Sequence, residues 1–320
     1  MIILSFAPTP GGNGFIPKSR VHEHLVLVFG MGMIGHAIVD ALYRLGFQCE
    51  ADIGYAWDAA EQRKLAARRV EVVCRGLAED CQARLSVVWS AGKAGFHSTT
   101  PELEPETAAF EDVLGLIREI REAMRTPAVD VHFTSSAGGL FEGQEAVNLS
   151  SRPVPLRPYG AMKLHQEHML MERLPRNEIA IYRPSSVYGP YFRGSRHGLI
   201  NHLVSNGRRG RVTVLDAHVM ALRDYVYSGD IGRYIARQIH FGLDPGRESP
   251  VHFLVSSRCA SILEVVGRIE RVLKLKIPFR LDENFGNHRN ITFGERVLPV
   301  GWHPSPLEVG IRQFAVHPEG

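Results

Sequence analysis

Apolar and polar positions along the chain fall into two periods. Short apolar runs at 25–29 (LVLVF), 85–90 (LSVVWS), 129–136 (VDVHFTSS) and 178–184 (EIAIYRP) have the length and β-branched content of buried strands. Between them the apolar spacing becomes helical, predicting helices from the Gly35 region to about Leu45, over 108–124 and through 159–173. Gly46 closes the first helix, and 47–53 reads as a second strand. Ala66, Val70, Val73, Leu77 and Cys81 recur at three or four residues, which predicts a largely helical 58–83, although a regular parallel sheet would place a strand near Val70. Strands alternating with helices mean βαβ units, and so a parallel sheet covered on both faces.

The pattern changes after Pro184. Gly, Arg, Asn and Ser dominate 189–215, a strand-like stretch returns at 251–257, and a helix reads over 261–273. The remainder, 276–320, carries Pro278, Pro299, Pro304 and Pro306 and reads as irregular. The expected division is a core of 22–184 plus 224–258, a smaller lobe of 185–223 plus 259–320, and an extension, 1–21, ahead of the first strong strand. Residues 1–6 are apolar but lack the basic flank of a signal peptide; Pro8, Pro10, Gly11, Gly12 and Gly14 follow.

Composition narrows the class. With 44% hydrophobic and 22% charged residues the chain can build a large core, and it is neither disordered nor a coiled coil. The net charge of +3 is too small to argue for nucleic acid or a membrane surface. No apolar run approaches the roughly 18 residues of a membrane span. Cys49, Cys74, Cys81 and Cys259 form no C-x-x-C pair and no disulfide framework, so a reducing cytoplasm is the expected setting. His165 and His168 lie three apart with no third ligand in view, so no metal is expected.

Two motifs carry chemistry. Gly30, Gly32 and Gly35 form G-x-G-x-x-G directly after a strand and at the start of a helix, with Met33 and Ile34 between the last two. Glycine there permits a tight turn and close approach of the backbone to a pyrophosphate, and the helix N-terminus presents amide donors to it. The predicted fold is α/β: a Rossmann-type doubly wound parallel sheet with a smaller C-terminal substrate lobe. Asp52, 17 residues past Gly35 and near the end of the second strand, is the candidate carboxylate for an adenosine ribose, favouring NAD over NADP. The second motif is Tyr159-x-x-x-Lys163, a phenol and an ammonium on one helix face. The lysine charge favours the phenolate, so the tyrosine can exchange a proton with a substrate hydroxyl. The strand end Thr134-Ser135-Ser136 can bring a hydroxyl beside that phenol.

Together these residues resemble an extended short-chain dehydrogenase/reductase of the nucleotide-sugar epimerase/dehydratase group. The resemblance spans about 24–315 and includes the glycine loop, Ala91-Gly92, Ser135-Ser136-Ala137, Tyr159 to Lys163, the run YRPSSVYGP at 182–190, RDYVYSGDI at 223–231, and Gly301-Trp302-His303-Pro304. It implies Ser136, Tyr159 and Lys163 as the catalytic set, with Lys163 also anchoring nicotinamide. It implies cofactor contacts at Gly30, Gly32, Met33, Ile34, Gly35, Asp52, Ala91 and Gly92, and substrate contacts at Ser186 and at Arg223, which would hold a nucleotide diphosphate. NAD is the implied cofactor, a nucleotide-diphosphate sugar the implied substrate, and a homodimer through the helices near 108–124 and 160–173 the implied assembly. The chain departs from the family pattern in having Phe29 at the first family glycine, Ser186 for the usual Asn, and Ala108 or Ala109 where the preceding helix usually carries Asn. The segment between the second strand and Leu85 is also atypical.

Three reactions share such a scaffold. The dehydratases it resembles carry an Asp-Glu pair after the strand hydroxyl, and the deoxysugar epimerase/reductases a Cys; here Ala137, Gly138 and Gly139 fill those places. A 4-epimerase needs no further acid or base, and elimination therefore puts it first. A 4-keto reductase stays open because 140–143 (LFEG) resembles the turn in sugar reductases. A non-catalytic dinucleotide-binding sensor is opposed by the intact Ser136, Tyr159 and Lys163.

Overall fold

The computed structural model describes residues 1–6, 24–55, 59–78, 84–96, 98–124, 129–190, 198–215, 218–247, 249–282 and 289–315. In chain order these form β1 (Ile2–Phe6), β2 (His24–Phe29), α1 (Met33–Arg44), β3 (Gln48–Asp52), α2 (Ala60–Ala78), β4 (Arg84–Trp89), α3 (Thr100–Met124) and β5 (Val129–Thr134). There follow α4 (Ala137–Leu140), α5 (Pro158–Arg173), β6 (Ile179–Pro184), β7 (Ser186–Tyr188), α6 (Leu199–Arg208), β8 (Thr213–Leu215) and β9 (Tyr225–Tyr227). The chain ends in α7 (Ser228–Phe241), β10 (Val251–Leu254), α8 (Ile262–Leu273), β11 (Phe279–Leu281) and α9 (Leu307–Ala315).

Seven strands make the central sheet in the order β10-β6-β5-β4-β2-β1-β3. From β2 to β10 every pairing is parallel, as the alternation of strands and helices predicts. The exception is β1, which runs antiparallel to both neighbours and separates β2 from β3. The 1–21 stretch, expected to stand ahead of the sheet, thus contributes an interior strand. The cause lies in IILSF: Ile3 and Leu4 are both fully buried and point into opposite hydrophobic layers, so the segment needs cover on both faces. Pro8, Pro10, Gly11, Gly12 and Gly14 lie outside the described residues.

One layer packs α2, α3 and α5 on the sheet through Val70, Phe110, Ile117, Leu170 and their neighbours; the other packs α1 and α7 through Ile38, Leu42, Ile235 and Ile239. Residues 60–78 are helical as the spacing predicts, with Ala66, Val70 and Cys74 on the buried side; Cys81 lies outside the described residues. The helix read from about Ala108 begins earlier, at Thr100. Thr99 N–H donates to the Glu102 carboxylate at 2.8 Å, the reach-back half of a capping box. Beyond the sheet, α6, α8 and α9 enclose a separate apolar cluster with Tyr188, Tyr225 and Tyr227, beside the two-stranded β8–β11 pair.

Candidate active site

The glycine loop forms where β2 meets α1. Gly30 has φ +94°, and a β-carbon on it would stand 2.3 Å from the backbone of Ala91; one on Gly35 would stand 1.9 Å from the Gly30 carbonyl oxygen. Neither position has room for a side chain, so the ends of β2 and β4 and the start of α1 close on one another. Ser90 Oγ ties the two strand ends by donating to the carbonyl of Gly30 at 2.7 Å. Gly32 differs, because a β-carbon there would meet nothing within 4 Å. It is the N-cap of α1, no side chain caps the helix, and no acidic residue stands in its first turn. Open space in front of uncapped amides suits an anionic diphosphate, and the residues here fit a dinucleotide. Met33 and Ile34 are the first residues of α1. Asp52 ends β3, and the insertion of β1 sets it one strand further from the glycine loop than a neighbouring second strand would; its side chain is 75% exposed.

From the loop, contacts lead to the Tyr-Lys helix. Ala91 abuts Gly30, and Gly92 abuts Glu106 of α3, whose two carboxylate oxygens lie 2.9 Å from where a Gly92 β-carbon would be. Glu106 Oε1 accepts from Lys163 Nζ at 2.9 Å, and Gln166 Oε1 accepts from the same ammonium at 3.2 Å. Lys163 is buried. Burial pulls its pKa down, and the neighbouring Glu106, helped by Tyr159 and Glu167, more than offsets this, so the ammonium titrates above the usual lysine value.

Tyr159 and Ser136 meet at α4. Ser136 caps this short helix, its Oγ accepting the amide of Gly139 at 3.0 Å. With that oxygen engaged, the hydroxyl hydrogen is free to donate. The Tyr159 ring lies against Gly139, where a β-carbon would come within 3.1 Å of it, and Gly138 borders both Ser136 Oγ and Phe96. The Phe96 ring centre is 6.3 Å from that of Tyr159, and the Arg157 guanidinium sits 5.3 Å above Phe96. Ser135, the adjacent hydroxyl, points elsewhere. It donates to Glu167 at 2.5 Å, and Glu167 is held by Arg183. That buried group fastens α5 to β5 and β6 below the reactive pair.

The substrate candidates lie nearby. Ser186 opens β7 beside Tyr225, and Arg223 bridges to Ala260. The Arg223 guanidinium donates to the carbonyls of Leu222, at 2.9 Å, and Arg289. Burial lowers its pKa, opposed by Tyr225 and Glu142 and reinforced by Arg157. Buried Glu142 accepts two hydrogen bonds from Arg157, at 2.9 and 3.1 Å, and pairs with Arg289 at 3.6 Å. Three arginines therefore gather around one carboxylate. Among the described residues no three His, Cys, Asp or Glu side chains come together as a metal site. His165 and His168 are exposed on α5.

Glu106, Gln166, Phe96 and the Arg157–Glu142 pair were not predicted. Glu106 lies 57 residues from Lys163 in sequence, ahead of the expected helix start, so no local spacing joins the two.

The doubly wound sheet, the glycine loop and the Ser-Tyr-Lys group define a dinucleotide-binding α/β protein. The chain belongs to the NAD dependent epimerase/dehydratase family, whose model matches residues 26–245. It is 28% identical to UDP-glucose 4-epimerase of Streptomyces lividans over 97% of this chain and 96% of that protein. Among solved structures it is similar to the UDP-glucose 4-epimerase of Thermus thermophilus in complex with NAD, with a TM-score of 0.68 at 18% identity over 91% of this chain and 97% of that one. It is also similar to Bacillus cereus UDP-glucuronic acid 4-epimerase in complex with UDP-glucuronic acid and NAD, with a TM-score of 0.66 at 19% identity over 91% and 98% of the two chains.

Proposed function

We propose that this protein is an NAD-dependent nucleotide-sugar 4-epimerase. The observation that carries the reading is the turn at Ser136, where the hydroxyl and the Tyr159 ring share a wall of Gly138 and Gly139 with neither carboxylate nor thiol in it. Such a turn supplies proton exchange at one oxygen and offers nothing to eliminate water from the next carbon. The family membership and the resemblance to UDP-glucose 4-epimerase support the same reaction.

Bound NAD supplies hydride acceptance from the sugar's C4 and return to its opposite face. The chain's own part is acid–base chemistry and orientation. Tyr159 takes the proton of the 4-hydroxyl and gives it back. Ser136, its oxygen already engaged by Gly139, donates a hydrogen bond to the same substrate oxygen. Lys163 holds a positive charge beside the phenol. Arg223 holds the nucleotide diphosphate and Ser186 makes a further substrate contact, with Arg157 and Arg289 gathered at Glu142 close by. The family resemblance and the cysteine pattern support a cytoplasmic homodimer that pairs through α3 and α5. No described helix is long and apolar enough to cross a membrane.

The test is interconversion of UDP-, dTDP- and GDP-sugars followed by NMR in deuterated solvent. A 4-epimerase inverts C4 and leaves carbon 5 unlabelled. Deuterium at carbon 5, or net reduction of a 4-keto sugar, would replace this reading with another reaction of the family.

A further inference from the structure

We infer that Glu106 is a positioning residue for Lys163, fixing both the aim and the charge of the ammonium that Tyr159 works beside. The inference rests on the reading of Lys163 as the partner of Tyr159. An ammonium has three donors. Two are spent on Glu106 and Gln166, at 2.9 and 3.2 Å, which leaves one. The Phe133 ring, 5.4 Å from Nζ, walls the group on the β5 side. Glu106 is itself braced: Oε2 accepts from Ala94 N–H at 3.4 Å, and the carboxylate lies against the Gly92 backbone. It therefore joins the loop that follows β4, which reaches the glycine loop through Ala91, to the reactive helix α5.

The groups facing the ammonium leave this role to Glu106 alone among the described residues. From α5 come Tyr159 and Glu167, and from α3 Glu106. The Glu167 carboxylate is already occupied by Arg183 from β6 and by Ser135, the residue after β5. The side chains of Lys163 and Glu106 are 5% and 8% exposed, so water cannot replace a lost partner. A buried ammonium stripped of its carboxylate sheds its proton more readily. Neutralising Glu106 thus leaves burial as the larger influence and brings deprotonation of Lys163 to lower pH.

The experiment follows the Lys163 ammonium by NMR in 15N-lysine-labelled protein, its signal assigned with Lys163→Met. The readout needs neither substrate nor turnover. In Glu106→Gln the ammonium is expected to titrate at lower pH than in wild type, and in Glu106→Asp the midpoint should return toward wild type. Calorimetry adds a second readout: NAD affinity of Glu106→Gln should fall away at lower pH than that of wild type. An unchanged Lys163 titration in Glu106→Gln would overturn the proposal, whatever the activity. If Glu106→Gln fails to fold, the double variant Glu106→Gln/Lys163→Met should fold, because the stranded charge is gone; a double variant that also fails would make Glu106 purely structural and overturn it. A wild-type protein inactive on every nucleotide sugar would sink the epimerase reading, while the titration would still decide the role of Glu106.

Discussion

Gly160 lies so close to Gly139 that a β-carbon on it would come within 2.1 Å of the Gly139 carbonyl oxygen. This contact joins α5 to α4 and presses Tyr159 against the turn that Ser136 caps. Gly160→Ala must therefore push the two elements apart. The expected cost is about 1–3 kcal/mol of stability, as for other overpacked sites, with a loss of turnover as Tyr159 leaves Ser136. Gly267 in α8 provides the contrast, since a β-carbon there would meet nothing within 4 Å. Gly267→Ala should stabilise by about 0.5–1 kcal/mol through helix propensity. Urea unfolding of both variants, with turnover of the first, checks the pair; a fully active, fully stable Gly160→Ala would contradict the packing described.

The roles of Tyr159 and Ser136 separate by magnitude. Tyr159→Phe keeps the ring that packs on Gly139 and removes only the ionisable oxygen. It should bind NAD as wild type does and lower turnover by about 10²- to 10⁴-fold, the usual worth of a general acid–base residue. Ser136→Ala loses a hydrogen bond to substrate and also the cap of α4, so it should show lowered turnover together with lowered stability. Single-turnover kinetics and thermal unfolding distinguish the two patterns. A Tyr159→Phe variant with wild-type turnover would remove the proposed chemistry.

What was legible in the sequence was local. The glycine loop is a contiguous signal between a strand and a helix, and Tyr159 and Lys163 are one helical turn apart, so neither needs knowledge of distant contacts. Partnerships between distant segments were not legible. IILSF at the N-terminus has the length of a strand, but four apolar residues and a serine name neither a partner nor a direction, and β1 enters the sheet between β2 and β3. That insertion leaves Asp52 at the end of β3, as its spacing predicts, with β1 standing between its strand and β2. Glu106 escapes the sequence because the apolar spacing marks α3 only from about Ala108, eight residues after the helix begins at Thr100. Thr99 and Glu102 carry the T-x-x-E spacing that marks the true start, and Pro101 suits a first turn.

Acid should destabilise the fold through histidines buried within it. His24 is hydrogen-bonded to Ser86 Oγ at 2.8 Å, and His252 to the Tyr234 hydroxyl at 2.8 Å. Burial, with Arg84 adding for His24 and Arg247 for His252, lowers their pKa values from 6.5 to about 3 and about 4. In the unfolded chain both take up a proton as pH falls through 6.5, while in the folded protein both stay neutral until pH 4 or below. The unfolded state thus binds more protons in that window, and stability falls as pH falls, by about 1.4 kcal/mol per pH unit for each histidine. Above the window both are neutral in both states and contribute no slope. Urea unfolding across the range measures this, and His252→Gln should flatten the slope by one histidine's share. A stability independent of pH over the window would show that these rings are not held neutral.

Gly32 offers the most selective probe of the cofactor site. Gly30 and Gly35 pack against backbone, so any side chain there damages the fold and the site together. Gly32 has φ −85° and ψ −164°, which L-residues adopt readily, and no atom within 4 Å of a β-carbon. Gly32→Val should therefore fold with near-wild-type stability while projecting two methyl groups in front of the α1 amides that would receive the diphosphate. The expected outcome is an unchanged unfolding midpoint and a large loss of NAD affinity by calorimetry. Equal NAD affinity in wild type and folded Gly32→Val would move the dinucleotide away from this loop. A destabilised variant would instead mean that the space in front of α1 is filled by protein.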